Sequence, residues 1–245
     1  AEGFGGSLLS LNKIKTVLAG VFVTIGAMIT GQIVGGLKEA ISTIISFEKR
    51  NSILAGVLGA TKKEIKDLTD EARRLGATTS YTAAQVTELQ IELAKLGFFK
   101  DEIKAMTPAV LNFAKAVDTD LGSAAALTGA TMRIFNLEAE ETERAVAAMT
   151  MGCNASALGF EYLNTAMAIA GPVANSFGFT IEDTTALLGA LSNSGFDASM
   201  AATATRNIFL NLADSSGKLA IALGGPVNNL DDLVKGLKKL NSEGI

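Results

Sequence analysis

"YTAAQVTELQIELAKLGFF", residues 81–99, contains the start, the buried face and the stop of one helix, and the rest of the chain reads outward from it. Thr82 stands three residues before Gln85, the spacing of a capping box, in which the threonine hydroxyl accepts from the N3 amide and the glutamine side chain accepts from the cap amide. Val86, Leu89, Leu93 and Leu96 then recur at helical spacing. Gly97 follows, a residue able to take the left-handed conformation that ends a helix.

The same grammar recurs on both sides. Thr61-Lys-Lys-Glu64 precedes Ile65, Leu68, Ala72 and Leu75, with Gly76 as the expected stop, and Thr180-Ile-Glu-Asp183 is a variant box with aspartate. Asp101 is the expected cap of a helix through Ile103, Met106, Val110, Phe113 and Val117, with Pro108 a local irregularity. Further helices are expected at about 120–135, at 138–152 with acids in the first turn, from 156 or 157 to 170, and at 173–177, 181–193, 198–213, 218–223 and 230–240. "VFVTI" at 21–25 is the one candidate strand, and its helical flanks outweigh it. No repeat of fixed period appears, although residues 70–85 and 91–105 suggest two successive helical hairpins. The fold class is all-α: a multi-helix array of short to medium helices with a long hydrophobic N-terminal helix.

That last element rests on "TVLAGVFVTIGAMITGQIVGGL", residues 16–37, which carries no charge. Its length meets the requirement for a bilayer crossing, about 20 residues. It lacks aromatic anchors at its ends, and each of Gly20, Gly26, Gly31, Gly35 and Gly36 costs about 1 kcal/mol of helix propensity relative to alanine. Gly31 and Gly35 form a G-x-x-x-G pair, which permits close helix contact in lipid or in a protein bundle. The expected use is a helix buried against other subunits. The domain division is 1–50 as a hydrophobic glycine-rich segment, 51–213 as the core helical domain and 214–245 as a helical extension continuing into a longer parent.

Composition removes most chemistry. The 245 residues contain no histidine, which excludes Ser-His, Cys-His and His-ligand sites, and one cysteine, Cys153, read as a small buried hydrophobe. Ser215-Ser-Gly-Lys218 spells a nucleophile–lysine spacing without a partner motif and reads as a helix cap. Asp118 with Asp120, and Asp231 with Asp232, read as capping or solvated carboxylates, because neither pair stands in a calcium-loop pattern. Phe98-Phe99 and Phe177-Gly-Phe179 read as loop anchors, and Lys62, Lys63, Arg73 and Arg74 as a solvated face. No catalytic residue, cofactor or metal is expected, and a net charge of −4 argues against a nucleic-acid site.

Charge is uneven: residues 51–120 carry 9 Lys/Arg and 10 Asp/Glu, residues 121–213 only 3 and 8. The sparse region is rich in small side chains, so it reads as an interior helical layer or as a surface that associates with copies of itself.

Phrases within 47–213 resemble the core region of phage tail tape measure proteins. The family's Leu-x-x-x-Ala-x-x-Leu-Gly helix matches Leu68 to Gly76, its threonine-rich cap Thr79 to Ala83, its Gly-Phe helix end Leu93 to Phe98, and its Gly-to-Arg segment Gly195 to Arg206, including Thr203. Where members often have Ala-Gly-Thr, this chain has Ala201-Ala202-Thr203, which touches a helix crossing. The resemblance implies a non-enzymatic structural protein of the virion, lying in the tail tube lumen, templating tail length and leaving during genome delivery. It implies as partners further copies of itself, tail tube and tail tip proteins, and the host membrane during ejection, which residues 16–37 would enter. The alternative reading, from that run and the low-charge helices, is a membrane-active pore-forming or toxin-like protein.

Overall fold

A computed structural model describes residues 42–214, 218–227 and 229–242, and they are helical with no strand among them. The hydrophobic N-terminal helix expected at 16–37, with its five glycines, lies outside the described residues. Residues 50–245 form one compact unit.

Helix α1 covers 42–58. It is followed by α2 (Lys66–Thr78), α3 (Ala83–Lys95), α4 (Lys100–Ala116), α5 (Leu121–Ile134), a 3-10 turn at Ala139–Glu141, α6 (Thr142–Ala155), α7 (Phe160–Ser176), α8 (Ile181–Asn193), α9 (Ala198–Ala213), α10 (Lys218–Leu223) and α11 (Leu230–Ser242). From α2 to α9 each helix packs on its next-but-one neighbour. One layer is α2, α4, α6 and α8, the other α3, α5, α7 and α9, and consecutive helices cross between them.

Most joints share one construction. Between α3 and α4, Gly97 is left-handed (φ +83°), its amide donates to the Ala94 carbonyl, and the Phe98 amide donates back to Leu93 O over 3.2 Å. This is the Schellman arrangement, which satisfies carbonyls a helix end would otherwise leave open. The same bonds close α5 at Asn136 and Leu137, α7 at Gly178 and Phe179, and α8 at Gly195 and Phe196. At the end of α4, Asp118 is left-handed and the Thr119 amide donates to Ala114 O. The next residue but one caps the following helix: Asp120 Oδ1 accepts from Ser123 N at 2.9 Å, and Asp197 Oδ1 from Met200 N at 3.0 Å. The boxes at Thr82 and at Thr180 are complete, the aspartate variant included.

Four boundary expectations are corrected. The Thr61–Glu64 box closes a turn, and α2 begins only at Lys66. Asp101 is not the cap of α4. Phe99 holds that position, its amide donating to Glu102 Oε2 at 2.6 Å, while Asp101 sits in the first turn facing the positive end of the helix dipole. The expected helices to 170 and at 173–177 are one helix, α7, running through Pro172, and α4 likewise runs through Pro108. Both prolines are exposed, as are Ala168 and Lys104 four residues earlier, so each carbonyl that loses its helical donor lies on the water side.

Gly76 does not stop a helix. It lies inside α2 without a positive φ, and a Cβ there would stand 2.5 Å from the backbone nitrogen of Ala83. It is glycine because α2 touches the start of α3. The leucine at 75 and the glycine at 76 mimic a helix end in sequence, but no left-handed residue follows.

Candidate functional site

Two packing regimes divide the core. In α2 to α4 large side chains fill the space: Leu68, Leu89, Leu93, Ile103, Met106 and Phe113 are fully buried. In α5 to α9 the closest helix crossings are made over small residues, although large side chains such as Met132, Leu163, Leu188 and Phe209 are also fully buried there. A Cβ on Gly129 of α5 would meet Leu96 Cδ1 at 2.5 Å, one on Gly152 of α6 would meet Thr185 Cγ2 of α8 at 2.2 Å, and one on Gly171 of α7 would meet Ile134 Cγ2 of α5 at 3.1 Å. Ala124, Ala125, Ala166, Ala170, Ala174, Ala201 and Ala202 are buried along the same crossings. Thr128, Thr131, Thr185 and Thr205 are buried with them, and their hydroxyls have no hydrogen-bond partner.

Three joints are held by a side chain from elsewhere in the array. Arg133 of α5 donates from Nη2 to the Gly97 carbonyl at 2.8 Å, with its guanidinium 3.9 Å above the Phe98 ring. A cation at the carbonyl end of α3 is favoured by the helix dipole, and its stacking on an aromatic face adds cation–π attraction. Tyr162 of α7 donates its hydroxyl to the Phe196 carbonyl at the α8–α9 joint. Asn193 accepts from the Ala157 amide at 2.8 Å. None of these three residues stands out in sequence, because a side chain that reaches another joint leaves no mark in local spacing.

The residues singled out for chemistry are structural or lie apart. Asp118 ends α4 in a left-handed conformation (φ 52°) and Asp120 caps α5. The hydrogen bonds from the Ser123 side chain and backbone hold the Asp120 carboxyl below its usual range. Asp232 pairs with Lys235 and takes part in the cap made by Asn229. Cys153 is half-buried on α6, and burial pushes its thiol up to about 11, so it stays protonated and weakly nucleophilic at neutral pH. Ser215 lies outside the described residues, and Lys218 opens α10. Among the described residues no group of three or more Cys, Asp or Glu is placed to hold a metal ion, and no helix is long and apolar enough to cross a membrane.

The paired phenylalanines split. Phe98 and Phe179 are buried anchors, Phe179 stacked on Phe209 at 4.2 Å, but Phe99 is 76% exposed and anchors nothing. The positions matched by resemblance are similarly divided. Gly97 and Gly195 are left-handed helix ends, Gly76 is a contact glycine, and Thr203 and Arg206 lie exposed on α9. Thr203 lines an open groove of about 440 Å³ with Phe196, Met200 and Asn207. A second groove, about 480 Å³, runs between α6 and α8 over Gly152, Ala155, Ala186 and Gly189, with Met151 on its rim. A third, about 490 Å³, is acidic, with Glu88, Glu92 and Asp120 around the start of α5.

The chain is 32% identical over 211 residues to the probable tape measure protein of Escherichia phage P2, a match covering 84% of this chain and 26% of that protein. It is 25% identical over 201 residues to the tape measure protein of Pneumococcus phage Dp-1, covering 82% of this chain and 18% of that one. The chain thus spans about a quarter or less of these relatives, and no solved structure matches it. The model of the phage-related minor tail proteins matches residues 69–244, most of the compact unit, and the chain belongs to that family.

Proposed function

We propose that this chain is a structural segment of a tape measure protein, a folded module on a longer helical polypeptide that lies in the tail tube lumen, sets tail length and leaves during genome delivery. The observation that carries this reading is the match of 84% of the chain to the P2 protein. Length is set by the whole polypeptide, at about 1.5 Å for each residue in helix, and this module contributes its share. Its partners are further copies of the same protein and the tail tube and tip proteins, and it carries no enzymatic step. The division along the chain is a glycine-rich segment at 1–50, a core at 51–213 and an extension at 214–245, with α1 running through the first of these borders. The uncharged run at 16–37, with Gly20, Gly26, Gly31, Gly35 and Gly36, packs against other copies in the stored tail and enters the host membrane on release.

The test is made in the parent phage. Insertion of 40 helix-forming residues beside this module in the full-length gene lengthens tails by about 60 Å in electron micrographs. Tails of unchanged length would sink the reading.

A further inference from the structure

We infer that α3–α5 and α7–α9 are two copies of one three-helix unit, a repeat that the sequence conceals. The correspondence begins at the joints. Gly97-Phe98 ends α3 and Gly178-Phe179 ends α7, both glycines left-handed and both phenylalanines 2% exposed. The next helix opens in both with an N3 acid accepting from the cap amide, Glu102 from Phe99 and Asp183 from Thr180. The second joint pairs Asp118-Thr119-Asp120 with Gly195-Phe196-Asp197. In each, a left-handed residue is followed by one residue and then by an aspartate cap accepting at N3.

Between the joints part of the buried set of the first two helices coincides, and on the third helix every described buried position of α9 falls on a buried position of α5 or its cap. On the first helix, Val86, Leu89, Gln90 and Leu93 correspond to Met167, Ala170, Gly171 and Ala174, and all are buried. On the second, Ile103, Thr107 and Leu111 correspond to Thr184, Leu188 and Ser192, again all buried. On the third, Ala124, Ala125, Thr128, Met132 and Phe135 correspond without a gap to Ala201, Ala202, Thr205, Phe209 and Leu212. Thr128 and Thr205, two of the four buried threonines whose hydroxyls are unpaired, fall on equivalent sites. The three helices pack on one another in the same pairs in both units, as three successive helices do throughout α2 to α9.

Two differences explain why sequence alone hides the unit. The second helix has 17 residues in α4 and 13 in α8, about one turn less, so no constant period relates the copies. Core side chains change in size at equivalent sites, Leu93 to Ala174 for example, so identity is low where burial is conserved in position. The repeat also has a repeated surface. Gly122, Ser123 and Ala126 line the acidic groove on α5, and their equivalents Ser199, Met200 and Thr203 line the apolar groove on α9.

The test exploits register. In the full chain, residues 197–212 are replaced by the sequence of 120–135, which places Ala124, Ala125, Thr128, Met132 and Phe135 on their buried equivalents. A control graft uses 121–136 instead, of nearly the same composition but rotated by one residue, about 100° around the helix. The in-register graft keeps its far-ultraviolet helicity and a single cooperative melting transition within about 10 °C of the parent, and the shifted graft loses that transition. Equal behaviour of the two grafts, whether both fold or both fail, overturns the inference.

Discussion

The α2–α4 region and the α5–α9 region reach the same two-layer arrangement by different means. The first separates its helices with large side chains and covers its outer face with ion pairs, such as Arg74 with Glu71 and Lys95 with Glu92. The second brings helices together over glycine, alanine and threonine, and its ion pairs include those joining Arg144 to Glu141 and Glu182. Burial can therefore be achieved by volume or by proximity, and the two are vulnerable to opposite substitutions. The large side chains of the first are sensitive to the removal of atoms, the close crossings of the second to their addition, with Gly76 a crossing of the second kind inside the first region.

The largest expected effect tests the first half of that contrast. Phe113→Ala empties a fully buried aromatic position and destabilises by about 3–5 kcal/mol, read by urea denaturation. Adding one carbon to the second region comes next. Gly152→Ala collides with Thr185 Cγ2, and overpacking costs about 1–3 kcal/mol, partly offset by about 1 kcal/mol of helix propensity. In a double-mutant cycle Thr185→Ala restores most of the loss, because it removes the atom that is struck. Additive losses would show that the crossing is not the cause.

Smaller effects belong to the joints, which both regions share. Gly97→Ala and Gly195→Ala each force a side chain into the left-handed region and cost about 1–2 kcal/mol, whereas Asn136→Gly relieves such a residue and leaves stability unchanged or slightly raised. Asp120→Ala removes a cap and costs about 1 kcal/mol at neutral pH. The Asp120 carboxyl is depressed in the folded state, so its contribution is fully present above its unfolded value near pH 3.9 and is lost as pH falls through the folded value. Asp120→Asn keeps a cap but removes this acid dependence, which a comparison of melting temperatures at pH 7 and pH 3 measures. At the bottom of the scale, Arg74→Gln on the exposed face of α2 moves the melting temperature by no more than the error of its measurement.

Local rules in the sequence were enough for the all-α class and for most helix positions among the described residues, because caps and left-handed stops act within a few residues. The boxes at Thr82 and Thr180 and the stop at Gly97 were legible for that reason. Gly76 was misread because a glycine needed for contact with Ala83 looks the same in sequence as one needed for a turn. Pro172 was misread because nothing in sequence says that the carbonyl it leaves open faces water. Arg133, Tyr162 and the paired layers were invisible, since they depend on which helices meet. The family motifs were found by likeness, and the structure divides them into helix ends, one contact glycine and two exposed residues on α9.

The next-but-one packing has a consequence for the time the chain needs to fold. Every principal contact closes within a stretch about as long as α3–α5, so loop closure is cheap and topology belongs to the fast, low contact-order class of helical proteins. Such an array can be drawn out from one end and can re-form from that end as each third helix becomes available, without waiting for the remainder of the polypeptide.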